Sequence, residues 1–264
     1  MGGRIIPSGM SDMTNEERKE EARLKELEGK DYQEFDDTSI KSPMGGSKEY
    51  HGDGQKQVDF FNDNSNYNDI INGMTYNQKE AYESYWSQGH FMNGQQWGGW
   101  DSMSKFDKTL TQIYDRTLDK SVLNKGVVVA RLTSAELLLG KGNKVATSLE
   151  QLQALRGQVV ISKANMSCGA AKYGLHIGDL SKNVEIKIHI PAGTKGAGMW
   201  IGDKRINDWG RRQREFITNR DTAYRIGNTT TRTDHNGKKI YVVNLYYDGR
   251  QKHDYGKSGM VNDY

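Results

Sequence analysis

A single cysteine, Cys168, excludes an intrachain disulfide and a cysteine-rich zinc site. Apolar residues are also scarce, at 34% of 264 residues, against a usual ~45–50%. No window approaches the ~18 consecutive apolar residues of a membrane span. The first residues, Met1-Gly-Gly-Arg-Ile-Ile-Pro-Ser8, contain no apolar core of signal-peptide length, so secretion by that route is not expected. A formal charge of +3 is small for this length and does not point to nucleic acid. The six histidines are scattered without metal-ligand spacing, and no metal is expected. A phosphate-cradling Gly-x-x-x-x-Gly-Lys, His-Glu-x-x-His, Gly-x-Ser-x-Gly and a Rossmann fingerprint are all missing.

The space left by the missing apolar residues is filled by 30 glycines and many short polar side chains, unevenly along the chain. Residues 1–57 read as a polar N-terminal extension. Within it, Thr14-Asn-Glu-Glu17 has capping-box form and heads a helix ending at Gly29, with Ala22, Leu24 and Leu27 as its only apolar residues. That stripe looks too thin to bury, and residues 30–57 read as linker. Residues 58–250 read as the domain proper, and 251–264 as a polar tail. In the domain, Thr75-x-x-Gln78 opens one helix, and Phe106, Leu110, Ile113, Tyr114, Leu118 and Val122 mark the face of another. Val127–Leu132 predicts a buried strand. Thr133-x-x-Glu136 and Ser148-x-x-Gln151 predict two short capped helices stopped by Gly140 and Gly157. Alternation of Val184, Ile186, Ile188 and Ile190 with Glu185, Lys187 and His189 predicts a half-buried strand. Further strands follow at 196–201, 216–218 and 222–226, then a hairpin turning at Asp234-His-Asn-Gly237. Helices first and strands afterwards predict an α+β domain.

Polar groups at strand ends are the remaining candidates for chemistry. Arg131 ends an apolar strand, where a charge is costly unless it pairs or meets an anion. Ser167 follows a second strand, and Glu215 opens a third, two residues after Gln213. The three could converge on a phosphate-bearing ligand, or be a salt-bridged arginine, a turn serine and a solvated glutamate. Cys168 has no histidine or asparagine in an obvious partner motif, which leaves little support for a thiol nucleophile.

Three stretches carry a resemblance. Gly126-Val-Val-Val-Ala-Arg131 is similar to the strand ending in the NAD-binding arginine of the Arg-Ser-Glu class of mono-ADP-ribosyltransferases. Asn165-Met-Ser-Cys-Gly169 sits where that class has Ser-Thr-Ser. Gln213-Arg-Glu-Phe-Ile-Thr-Asn-Arg-Asp-Thr-Ala-Tyr-Arg-Ile226 resembles its biglutamate-type motif and the strand and tail that follow. The turn at Ile186–Gly196 and the segment Tyr85–Asn93 also fit, so the likeness spans roughly 58–230 in the right order. The class includes Rho-modifying clostridial exoenzymes, enzymatic subunits of binary actin toxins, and domains of phage head proteins. It implies an ADP-ribosyltransferase-like fold, N-terminal helices followed by a mixed two-sheet β core.

It also implies NAD as co-substrate and a protein as acceptor. Glu215 would stabilise the oxocarbenium-like ribose formed as neutral nicotinamide leaves, Arg131 would hold the diphosphate, and Ser167 would orient Glu215. Gln213 would position the acceptor, and Trp209 would anchor it. Two departures matter. Only the first hydroxyl of Ser-Thr-Ser survives in Ser167-Cys-Gly169, with Ser162 as the fallback. The acidic pair is Gln213-x-Glu215, the variant that in the class goes with acceptors other than arginine, notably asparagine. The alternatives are a non-catalytic virion or partner-binding protein, and an NAD glycohydrolase. The expected setting is a bacterial cytoplasm or phage virion, with dedicated delivery into a target cell and a partner for the N-terminal extension as further expectations.

Overall fold

The computed structural model describes residues 13–35, 54–81, 96, 98–170, 182–201, 215–234 and 236–261. Helix α1 (Asn15–Glu28) begins with the expected capping box, in which Thr14 and Glu17 each accept the other's backbone N–H. Helices α2 (Gly54–Asn64) and α3 (Tyr67–Asn72) follow, then a helical turn over 76–81 capped reciprocally by Thr75 and Gln78. Helix α4 (Lys105–Leu118) starts on Ser104, which caps the N–H of Asp107.

The strands and small helices after it are β1 (Val122–Leu123), β2 (Val127–Thr133), α5 (Glu136–Leu139), α6 (Leu149–Gln153), β3 (Val159–Ser162), β4 (Met166–Gly169) and β5 (Val184–Ile190). Then come β6 (Thr194–Lys195), β7 (Gly198–Trp200), β8 (Glu215–Thr218), β9 (Thr222–Thr233) and β10 (Lys239–Arg250). The expected α+β class holds. Eight strands run in the order β3-β9-β10-β5-β2-β4-β8-β7, while β1 and β6 form a separate two-stranded ribbon. Only β5 and β10 run parallel; the other pairings are antiparallel. The large sheet narrows to one pairing, Ala130 with Gly169, which divides it into a five-stranded and a three-stranded part.

One face of the sheet carries the main core. Phe61, Tyr67, Leu110, Tyr114 and Leu118 from the helices bury against Val127, Val129, Ile186, Ile188 and Phe216. The other face is covered as well, contrary to the half-buried pattern of β5. Leu24 and Leu27 of α1 are fully buried, packed with Tyr32 and Tyr246. His189 stacks on Tyr246 at 4.5 Å between ring centroids and meets Tyr32 edge-on at 5.0 Å. Glu185, on the same alternation, is buried and paired with Arg232 at 2.6 Å. Two leucines suffice for α1 because ion pairs frame them. Arg23 meets Asp248 at 2.8 Å, and Arg156 meets Glu28 at 2.6 Å.

Three more local readings change. Segment 31–35, read as linker, pairs with β2: Gln33 N–H donates to Gly126 O and Val128 N–H to Gln33 O, both at 2.9 Å, and Phe35 enters the core. Gly126 is required there, since a Cβ would fall 2.2 Å from the Asp31 carbonyl oxygen. Helix α5 is capped at Ala135 with no side-chain bond, because Thr133 remains in β2. Phe106 is 63% exposed, while Thr111, Gln112 and Asp115 of α4 are buried. That side of α4 meets the C-terminal segment: Gln112 exchanges hydrogen bonds with Val261, and Tyr255 donates to Asp115.

Candidate active site

The site forms where the sheet narrows. Gly169 pairs with Ala130 of β2 on one side and with Glu215 of β8 on the other. One residue beyond Ala130, Arg131 donates from Nη1 to the carbonyl oxygen of Ser167 at 2.9 Å. Strand alternation puts Ser167 and Gly169 on the face of β4 shared by Ile217 and Glu215, and Cys168 with Phe216 on the other. Arg131, Ser167 and Glu215 thus lie on three adjacent strands within two positions of the Gly169 pairings, although 84 positions separate the first from the last. Alternation puts Arg131 on the face of Cys168 and Phe216, and its guanidinium reaches the Ser167 main chain.

Their environments differ. Glu215 is only 4% exposed and Arg131 is partly exposed. The Ser167 hydroxyl is buried and makes no hydrogen bond among the described residues. A buried hydroxyl with no partner among the described residues calls for an explanation, and a polar ligand is one. Cys168 is fully buried, and burial pushes its thiol up to about 12, with Arg131 and Glu215 pulling in opposite directions. A thiol so far from ionisation is a core side chain, not a nucleophile.

The neighbouring bonds hold this junction in place. The amide of Gln96 pairs with Asn165: Nε2 donates to Asn165 Oδ1 at 2.8 Å, and Asn165 N–H returns to Gln96 Oε1 at 2.9 Å. Asn165 Nδ2 also donates to Thr218 O at 3.0 Å, fixing the start of β4 to the end of β8. The N–H of Ile201 donates to Glu215 O at 2.9 Å. On the helix side, Gln57 is fully buried and donates from Nε2 to Ala170 O. Sequence reading assigned no role to Gln57, Gln96 or Asn165; a lone amide in a polar stretch carries no local signal of its partner.

Ser162 is excluded as the fallback for Ser167. It lies on β3, not on the same strand, with β9, β10, β5 and β2 between them in the sheet, and its hydroxyl donates to Ala164 O at 2.8 Å. Gln213, Trp209 and the Tyr85–Asn93 segment lie outside the described residues. Among the described residues, no cluster of three or more His, Cys, Asp or Glu side chains could hold a metal ion. No helix among them is long and apolar enough to cross a membrane.

Comparison with known proteins bears on the fold and the family. No match was found among curated protein sequences. Among solved structures, the chain is similar to Plx2a, an ADP-ribosyltransferase toxin from Paenibacillus larvae, with TM-score 0.62 and 17% identity over 75% of this chain and 97% of that one. It is similar to C3stau2 from S. aureus, solved with NAD, with TM-score 0.57 and 15% identity over 84% of this chain and all of the other. The enzymatic component C2-I of the Clostridium botulinum C2 toxin matches with TM-score 0.57 and 13% identity, over 74% of this chain but 47% of that one. At these identities the likeness establishes the fold. The family model for the ADP-ribosyltransferase exoenzyme matches residues 61–247, a span that contains Arg131, Ser167 and Glu215 together, and the chain belongs to that family of NAD-dependent transferases.

Proposed function

We propose that this protein transfers a single ADP-ribose from NAD to a protein side chain other than arginine, with Glu215 as the catalytic carboxylate. The observation that carries the reading is the meeting of Arg131, Ser167 and Glu215 around the Gly169 pairings. Breaking the bond between nicotinamide and ribose leaves positive charge on the sugar. A buried carboxylate acts on that charge through a low dielectric, where its field is strongest. Arg131 uses one N–H on Ser167 O and keeps the rest of its fork for a diphosphate oxygen. The Ser167 hydroxyl supplies a donor and acceptor to the ribose end and to the Glu215 carboxylate. Nicotinamide departs neutral, so no strong general acid is needed.

Gln213, two residues before Glu215, is our acceptor-positioning residue, and Trp209 its hydrophobic anchor. A neutral amide can exchange hydrogen bonds with an amide acceptor, whereas a guanidinium is better matched by a carboxylate. Domain limits of 58–250 for the catalytic unit, with flanks at 1–57 and 251–264, are part of the same reading. So is delivery of the protein from a bacterium or phage into a target cell.

The test is incubation of the purified protein with labelled NAD and a bacterial or animal lysate, followed by mass spectrometry of labelled proteins. The expected result is ADP-ribose on one protein at a non-arginine side chain. Labelling at arginine overturns the acceptor assignment. Nicotinamide release that needs no added protein identifies an NAD glycohydrolase instead. Absence of any release identifies a binding protein on the same fold.

A further inference from the structure

Among the described side chains of α2, Gln57 is a completely buried amide whose partner reaches the site. Its Nε2 donates to the carbonyl of Ala170, the residue that follows Gly169 at the end of β4. Its Oε1 is buried and accepts no hydrogen bond among the described residues. Four positions on, and so on the same face of α2, Phe61 stacks on Trp200 at 4.9 Å and lies 6.1 Å from Phe216. Phe216 follows Glu215 and pairs with Cys168. The face of α2 bearing Gln57 and Phe61 thus backs the strands that carry Ser167 and Glu215, from the side opposite those two residues.

A half-satisfied amide in that place is a poor stabilising choice. An unpaired buried carbonyl costs ~1–3 kcal/mol, which offsets what the bond to Ala170 O contributes to stability. The remaining consequence of having an amide there is the bond it makes. We propose that Gln57 is a positioning residue for the transferase reaction: by anchoring Ala170 O to α2 it fixes the end of β4, and through the Gly169–Glu215 pairing it fixes the placement of the Glu215 carboxylate. This rests on the transferase reading of the site, and it adds a residue outside the Arg-Ser-Glu set.

Two variants test it. In Gln57→Leu, NAD-dependent nicotinamide release should fall on the order of 10- to 10²-fold in kcat, as for a displaced catalytic group. KM for NAD should stay within about twofold, because Arg131 and Ser167 are untouched, and thermal stability should change little, since deleting the orphan Oε1 offsets the donor lost by Ala170 O. Gln57→Glu lacks the donor when ionised and regains an O–H donor when protonated. Burial raises such a carboxyl, so this variant should gain activity as the pH falls, along a limb that wild type does not show. A Gln57→Leu enzyme with wild-type kcat, or losses of activity and stability in parallel with no acid recovery in Gln57→Glu, overturns the proposal. Amide hydrogen exchange separates this failure from failure of the transferase reading. Faster exchange at Gly169 and Glu215 in Gln57→Leu, at unchanged global stability, supports the anchor even if wild type releases no nicotinamide. Unchanged exchange at those amides refutes it whatever the activity.

Discussion

The guanidinium of Arg131, inside β2 rather than at its end, donates to the main-chain carbonyl of Ser167 in β4, beside the single Ala130–Gly169 pairing between the two strands. Among the described residues no carboxylate forms an ion pair with Arg131. Its charge is therefore available to an anionic ligand. Arg131→Lys should weaken NAD binding about 10-fold or more, since hydrogen bonds to charged groups contribute ~1.5–3 kcal/mol and lysine lacks the planar fork. Calorimetric titration with NAD measures this; unchanged affinity would remove Arg131 from the binding role.

Glu215→Gln keeps the shape and removes the charge. Nicotinamide release should drop ~10²-fold or more, as expected for loss of the main electrostatic group, with NAD affinity nearly intact. Single-turnover kinetics with a binding control makes the distinction. Release at the wild-type rate would assign the catalytic charge to another residue.

A different prediction concerns stability. Arg220 and Asp115 are both buried and share a forked contact, Nη2 to Oδ2 at 2.7 Å and Nε to Oδ1 at 2.9 Å. Asp221 lies 2.9 Å from the same guanidinium, in a left-handed backbone conformation with φ of 53°. Breaking a buried pair from one side leaves a stranded charge and costs ~3–5 kcal/mol. Asp115→Ala should lose stability in that range by urea denaturation. A change below 1 kcal/mol would mean that Asp221 alone compensates the cation.

The same cluster should respond to pH through His253. Burial by itself would depress the His253 imidazolium, but contacts with Asp119 at 3.2 Å and Asp221 at 3.3 Å, and the charge of Asp115, outweigh it and the opposing Arg250. The net shift is upward from the ordinary 6.5. The stabilisation is therefore fully present below about 6.5 and is lost as the pH rises through the higher folded value. Wild type should exceed His253→Gln in thermal midpoint by more at pH 6 than at pH 9. An equal difference at both values would show that the ring packs without titrating.

Much of this arrangement is legible in the chain. The run Val127–Thr133, the β5 alternation, the caps at Thr14, Thr75 and Ser148, and the turn around Asp234 each follow from neighbours in sequence. The order of Arg131, Ser167 and Glu215 carries the fold class. Other features depend on partners that no local pattern shows. Glu185 and His189 read as solvent-facing because alternation does not reveal the Arg232 that pairs with one or the Tyr32 and Tyr246 rings that cover the other. The thin stripe of Leu24 and Leu27 reads as unburied because its supports, Asp248 and Arg156, are more than a hundred positions away. Phe106 fits the helical period of α4 yet stays exposed, while a second side of that helix, polar in sequence, is buried by Arg220 and the 251–261 segment. Gln57 falls in a polar stretch, where only the distant carbonyl of Ala170 gives it meaning.

The short pairing of Gln33 with β2 has a consequence for solubility. Along its length β2 bonds to β5 on one side, but β4 covers its other side only at Ala130. Gln33 occupies the main-chain groups around Val127 that would otherwise stand open, and α1, just upstream, is held to the sheet through Leu24, Leu27 and their ion pairs. An uncovered strand edge of valines is a template for a second chain. A protein trimmed to begin at residue 58 would expose that edge, and it should self-associate more readily than the full chain on sedimentation.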